Sequence, residues 1–271
     1  EVTVPGMGMG VVGAAIGTVS AELVAASITM YILCFRSKEL SLRIDKGRFL
    51  PTWGVVKRAL HISLPMGLQQ TIMCSAYVMT TIIIAPLGTF AIAANSFGVI
   101  VESLCYMPGY GIADAATTLV GQSIGAGRHE LMKRFAWLSV GLGVTVMAVM
   151  GVVMYVGAPV AMAMMTPAEE VRRLGVEVLR IEAFAEPMFA AAIVSYGVFV
   201  GAAKTLVPSI MNLISIWGVR ISLAALLAPS MGLRGVWIAM CIELCFRGFI
   251  FLVKLKFWNI QTSCNHYGKD Q

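Results

Sequence analysis

Apolar residues run in long unbroken stretches along this chain, with none of the alternation expected of half-exposed strands. A helix needs roughly 20 apolar residues to cross a bilayer core, within a range of about 17–25. Seven stretches meet that length: Val11–Phe35, Ala59–Ala85, Ala91–Leu119, Phe135–Gly157, Val176–Val200, Leu206–Ala228 and Gly235–Phe257. Between Ala59 and Val101 there is no Lys, Arg, Asp or Glu, and Pro86–Leu87–Gly88 divides that run into two helices joined by a tight turn. The charge-free run from Phe135 to Ala168 is too long for one span, and Gly157–Ala158–Pro159 is its expected exit. The pattern predicts an all-α, polytopic membrane protein with seven transmembrane helices.

Composition supports lipid as the solvent. Hydrophobic residues make up 58% of the 271 and charged residues 13%, against about 25% charged in a typical globular chain. Lys and Arg in the short loops set the orientation. With the loop Arg36–Arg58 taken as cytoplasmic, alternation puts fourteen cations inside and three (Arg172, Arg173, Arg234) outside. That asymmetry accounts for the net charge of +6 and directs it at anionic headgroups, not at nucleic acid. The expected setting is a cell (inner) membrane, crossed several times.

Residues 36–58 form a polar linker, RSKELSLRIDKGRFLPTWGVVKR, which reads as a boundary between helical bundles. Residues 1–35 then hold the last helix of a preceding bundle, 59–257 a complete six-helix one, and 258–271 a polar cytoplasmic tail. The chain opens on Glu1 with no basic signal-peptide region, which suggests a fragment or an internal segment.

GQSIGAGRHELMKR (Gly121–Arg134) looks at first like a phosphate loop, but it lacks the GK[ST] of that motif. Its address, between the third and fourth spans, makes it an interfacial turn. Gly125 and Gly127 permit positive φ, Gly121 and Gly125 allow close helix approach, and Arg128, Lys133 and Arg134 anchor at the headgroups. Catalytic patterns are missing: His61, His129 and His266 stand far apart, there is no HExxH or GxSxG, and GYGIAD (Gly109–Asp114) lacks the GxGD spacing of intramembrane aspartyl proteases. The six cysteines show no CxxC or metal spacing; Cys241 and Cys245, one helical turn apart, read as buried thiols. No enzyme and no bound metal are expected.

LVGQSIGAGRHELMKR resembles the turn between the second and third helices of a lobe in multidrug and toxic compound extrusion (MATE) transporters. VVGAAIGT (Val11–Thr18) is similar to the start of that family's sixth helix, ISLPMGLQQ (Ile62–Gln70) to its seventh and LGTFAIAANS (Leu87–Ser96) to its eighth. AEPMFAA (Ala185–Ala191) and SIWGVRISLA (Ser215–Ala224) resemble the tenth and eleventh. The resemblance covers about residues 4–257 and implies the sixth helix plus the second of two six-helix lobes, with the N-terminal lobe missing. It implies an antiporter that exports amphipathic or cationic small molecules in exchange for H⁺ or Na⁺. Two departures stand out. The family's RGAGDT reads VGAAKT here (Val200–Thr205), and no carboxylate lies near Met73, where some members hold sodium. Alternatives are a flippase or other non-drug transporter of the same superfamily, or a fragment inactive without its missing lobe.

Ionisable residues within spans are costly and point to function. At about 1.5 Å of rise per residue, Glu182 lies roughly 9 Å below the outer ends, Arg220 and Glu243 roughly 12 Å, Glu186 roughly 15 Å, and Glu22 and Glu102 roughly 16 Å. Six groups from five helices thus share one layer, expected to open onto a polar chamber. Glu182 and Glu186 form an i,i+4 pair beside Pro187, and their mutual repulsion suits them to hold a proton or cation; permanent pairing of one with Arg220 is the alternative. Glu243 and Arg247 read as an in-helix ion pair. Asp114, following Pro108–Gly109–Tyr110–Gly111, is placed for gating at a helix bend or for interfacial snorkelling. Met66, Met73 and Met188 are candidates to line an adaptable apolar cavity.

Overall fold

The structure, a computed structural model, describes residues 10–36 and 52–258, which are helical with short turns and contain no strand. The chain divides into two compact units, one up to Val56 and the other from Lys57. The first contains helix α1, Gly10–Tyr31, which continues as one wide π-helical turn over Ile32–Arg36. The second contains α2 (Trp53–Ile84) beyond its first turn, α3 (Thr89–Gly125), α4 (His129–Met165), α5 (Glu169–Glu182), α6 (Glu186–Gly201), α7 (Leu206–Leu213), α8 (Ser222–Met231) and α9 (Leu233–Lys256). Most of the linker expected at 36–58 and all but the first residue of the tail at 258–271 lie outside the described residues.

Among the described residues, five helices are long and apolar enough to cross a membrane, six when the bent pair α5–α6 is taken as one span. The expected seventh, α1, is not among them; its apolar part is the shorter Ala15–Tyr31. Two expectations of chain geometry fail. Pro159 does not end the fourth span: α4 continues through it to Met165. Helix α3 carries Pro108 within it. The fifth span is not one helix, because α5 and α6 meet at a break with a 60° bend. Composition explains that break in hindsight. EEVRRLGVEVLRIE in α5 is amphipathic, burying Val171, Gly175, Val178, Leu179 and Glu182, whereas EPMFAAAIVSYGVFVG in α6 is apolar all round. Pro187 stands in the first turn of α6, where its missing N–H costs nothing. Pro187, which falls inside the single expected span Val176–Val200, therefore starts a helix.

Helix α6 is the centre of the second unit. It packs against α3, α4 and α9, and residues 189–195 and 197–199 are all buried. Glycine makes that density possible. Gly197 and Gly201 form a GxxxG pair facing Ala113 and Thr117 of α3, and a Cβ at Gly197 would stand 2.6 Å from the Ala113 carbonyl oxygen. Thr117 Oγ1 donates across the seam to the Gly197 carbonyl at 2.8 Å. On other sides, Gly143 of α4 accommodates Val194, and Gly248 of α9 lies against the Met188 main chain. Lipid offers no hydrophobic drive for one apolar helix to join another, so close backbone approach and such hydrogen bonds must hold α6 in place.

The turns use left-handed caps. Gly127, at φ +68°, closes α3 in a Schellman motif: its N–H bonds to the Ile124 carbonyl and the Arg128 N–H to the Ser123 carbonyl, both at 2.9 Å. Gly125 does not share that role. It is the last residue of α3, with no positive φ and open space beside it, whereas Gly121 does approach Gly201. An equivalent cap ends α6, where Ala203 and Lys204 bond back to Val200 and Phe199 at 2.8 and 2.9 Å. Here the left-handed residue is Ala203, at φ +55°, in the place of the second glycine of RGAGDT. A left-handed non-glycine residue is strained by about 1–2 kcal/mol, partly offset by the greater unfolded-state freedom of glycine. Ala203→Gly is therefore expected to stabilise the protein by roughly 0.5–1 kcal/mol, read as a higher Tm in detergent. Gly197→Val is expected to destabilise it by about 1–3 kcal/mol through overpacking against α3; an unchanged Tm would contradict the close seam.

Candidate functional site

Six ionisable groups from α3, α5, α6, α9 and the segment between α7 and α8 converge inside the second unit. Glu102 comes from the middle of α3, Glu182 from the last turn of α5, Glu186 from the first turn of α6, and Glu243 and Arg247 from successive turns of α9; all five are buried. Arg220, half-buried, comes from Ile214–Ile221, an eight-residue π-helical stretch joining α7 to α8. π-Helical turns are rare and concentrate at functional positions. This one is anchored by Ser222, whose hydroxyl donates to the Trp217 carbonyl five residues back at 3.4 Å. Electrostatic interaction links Glu182 to Glu102, Arg220, Glu186 and Glu243, and Glu102 to Arg220 and Arg247. Four carboxyl groups face two guanidinium groups, a formal excess of two negative charges.

That excess is unevenly distributed. Glu243 is fully satisfied. Arg247 Nε stands 3.0 Å from its Oε1 in an i,i+4 ion pair, the weaker hydrogen bond runs from Nη2 to Oε2 at 3.4 Å, and Ser215 Oγ donates to Oε1 at 2.6 Å. The Arg247 guanidinium also lies 5.4 Å from the centre of the Phe189 ring. Glu182 and Glu186 are the opposite case. Each is 1% exposed, and none of their four carboxyl oxygens has a hydrogen-bond partner among the described residues. Neither pairs with Arg220, whose Nη2 donates to the Met240 sulfur. Burying an unpaired carboxylate is costly unless a proton or a cation neutralises it.

The pair also differs from expectation in shape. Glu182 and Glu186 do not share one helix face; they flank the 60° break, one closing α5 and the other opening α6. Glu186 stands at a helix N-terminus, which favours its charge, whereas Glu182 stands at a C-terminus, which does not. Gly151 of α4 makes room for the break: a Cβ there would meet the Ala183 carbonyl oxygen at 2.8 Å and Glu186 Cβ at 3.3 Å. Nor do the two open onto a polar chamber, being closed off among the helices.

Other expected residues are spread out. Glu22 belongs to the first unit and is exposed; Asp114 is exposed on α3. Met73 lines a recess of about 10 Å³ with Tyr77, Thr80 and Arg220, while Met66 and Met188 are half-buried elsewhere. Sequence reasoning missed Ser215, Gly151 and a polar knot in which Tyr196 Oη and Ser209 Oγ donate to Gln69 Oε1 at 3.0 and 2.6 Å, tying α2 to α6 and α7. An isolated hydroxyl or amide in an apolar run was the only available signal. Among the described residues, no group of three or more His, Cys, Asp or Glu is arranged to hold a metal ion.

The MatE family model matches residues 65–226, which carry the π-helical stretch, the break and four of the six ionisable groups. The chain belongs to the MatE family. It is 29% identical over 250 residues to a Thermotoga maritima protein named probable multidrug resistance protein NorM, covering 90% of this chain and 53% of that one. A Xylella fastidiosa protein of the same name is also 29% identical, over 238 residues, covering 87% and 50%. The MatE chain thus spans about half the length of the curated relatives it matches. Among solved structures, a MOP-superfamily transporter from Pyrococcus furiosus shares the fold with a TM-score of 0.80 at 20% identity, over 92% of this chain and 56% of that one. A Vibrio cholerae MATE transporter in a bent form gives 0.77 at 19% identity, over 90% and 55%. This MatE chain is therefore a multi-pass, all-α membrane protein of a transporter family, and not an enzyme.

The asymmetry within the charged layer is testable. Arg247→Met is expected to destabilise the protein by about 3–5 kcal/mol, because it strands Glu243 in the interior. The double variant Glu243→Met with Arg247→Met is expected to recover most of that loss, and denaturation of the purified variants measures both. A double variant as unstable as the single one would contradict the pairing.

Proposed function

We propose that this chain supplies the second lobe of a cation-coupled antiporter that exports amphipathic or cationic compounds, with Glu182 and Glu186 as its coupling pair. In this reading residues 59–257 form that lobe, residues 1–35 carry the last helix of the first, and residues 36–58 link them. The observation that carries the reading is the pair of buried, unpartnered carboxyl groups on either side of a helix break. Their excess negative charge favours a proton or monovalent cation over an anion, which also argues against a lobe built to hold anionic lipid-linked precursors. The relatives' name, multidrug resistance protein, supports the substrate class.

The mechanism follows from electrostatics at the break. With both groups charged, Glu182 and Glu186 repel each other across residues 183–185. Binding of a proton or cation removes that repulsion and changes the balance between bend angles of α5 and α6. Gly151 of α4 lies against the Ala183 carbonyl of the hinge, so α4 senses the change. Coupling requires only that the ion and the exported compound prefer different bend states. Glu186→Gln, introduced into the full-length transporter, is expected to abolish ion-coupled drug efflux while membrane insertion and elution in detergent stay unchanged. Drug accumulation in cells, measured with and without sodium at two pH values, reads the loss and identifies the ion. Wild-type efflux by Glu186→Gln would refute the coupling role.

A further inference from the structure

The outward-facing surface holds a cation that the coupling layer does not use. Arg180, in the last turn of α5, is exposed, and among the described residues no carboxylate pairs with it. Three other arginines of the unit have partners: Arg234 pairs with Glu177 at 2.6 Å, Arg247 with Glu243, and Arg220 contacts Met240. The Arg180 guanidinium instead lies 5.2 Å from the centre of the Tyr155 ring of α4, and Tyr155 packs edge-on against Phe184 at 5.8 Å. These three side chains form one rim of a furrow of about 340 Å³, whose far wall is Ile238, Cys241 and Ile242 of α9. Beside it, Val152 and Val156 of α4 are exposed, as expected of a face toward acyl chains.

A lone guanidinium beside an apolar trough in a lipid environment calls for one anion attached to apolar bulk. Arginine binds phosphate oxygens in a bidentate fork, and tyrosine with exposed apolar rings is typical of headgroup depth. A soluble anion would satisfy the charge and leave the furrow empty; a zwitterionic lipid would fill the furrow and bring its own cation to Arg180. We propose that Arg180 and this furrow form a binding site for an anionic phospholipid, with the phosphate on the guanidinium and an acyl chain between α5 and α9. The site depends on the membrane-spanning fold and not on the coupling role of Glu182 and Glu186.

The test uses the full-length transporter in detergent. Native mass spectrometry with phosphatidylglycerol and phosphatidylcholine of identical chains is expected to show about a fivefold preference for phosphatidylglycerol, the scale of one cation meeting an anionic headgroup. Arg180→Gln is expected to lose that preference, and Arg173→Gln, seven residues earlier on α5, to keep it. Cys241 supplies a second measurement in the unmutated protein: phosphatidylglycerol is expected to slow its alkylation, read peptide by peptide, whereas glycerol phosphate is not. An unchanged preference in Arg180→Gln, equal loss in both variants, no protection of Cys241, or protection by glycerol phosphate alone would each overturn the assignment.

Discussion

The core of the second unit depends on how closely α3, α4 and α9 approach α6. In lipid, burial of apolar surface does little to bring helices together, so packing distance becomes the main source of attraction. Gly197 and Gly201 bring α3 against α6, Gly143 and Gly151 do so for α4, and Gly248 for α9. A helix held this way is sealed from lipid on nearly every side. That seal lets α6 begin with a carboxyl group, because Glu186 is carried inward by the same contacts that bury Ala190 and Val194.

The charged layer is then built in two unlike halves. On α9, Glu243 and Arg247 neutralise each other and Ser215 completes the set, so that this part behaves as structure. Across from it, Glu182 and Glu186 have neither a guanidinium nor a hydroxyl. The proposed ion exchange demands a group that is not permanently satisfied, and in the second unit the two unsatisfied carboxyl groups sit where the backbone is interrupted. The π-helical stretch carrying Arg220 adds a second irregular element to the same layer. Irregular backbone at membrane depth is tolerated where protein surrounds it, and α9 with the flanking α7 and α8 cover one side of this stretch.

Arg180 shows how position changes the meaning of a charge. It lies two residues from Glu182 in sequence, yet it faces outward over Tyr155 while Glu182 faces inward. The amphipathic character of α5 makes the difference, since one face of the helix meets α3, α4 and α9 and the other meets the surroundings. A count of charges per span treats the two residues alike; a helical face does not.

Much of this protein was legible from one-dimensional pattern. The long apolar runs predict helices at nearly the observed places, because length and composition alone decide whether a segment can cross a bilayer. The short turns at Pro86–Gly88 and at Gly127 were readable for a similar local reason, as was the Glu243–Arg247 pair one turn apart. Counting residues along spans led to one expected layer of Glu22, Glu102, Glu182, Glu186, Arg220 and Glu243; Glu22 belongs to the first unit and the other five to the second. Only the tertiary structure decided what those groups do with each other. The break between Glu182 and Glu186, the unbroken course of α4 through Pro159, and the π-helical stretch at Arg220 depend on contacts between segments far apart in the chain. Whether a proline bends a helix or starts one, and whether a carboxylate finds an arginine or stands alone, is settled by neighbours that no local window contains.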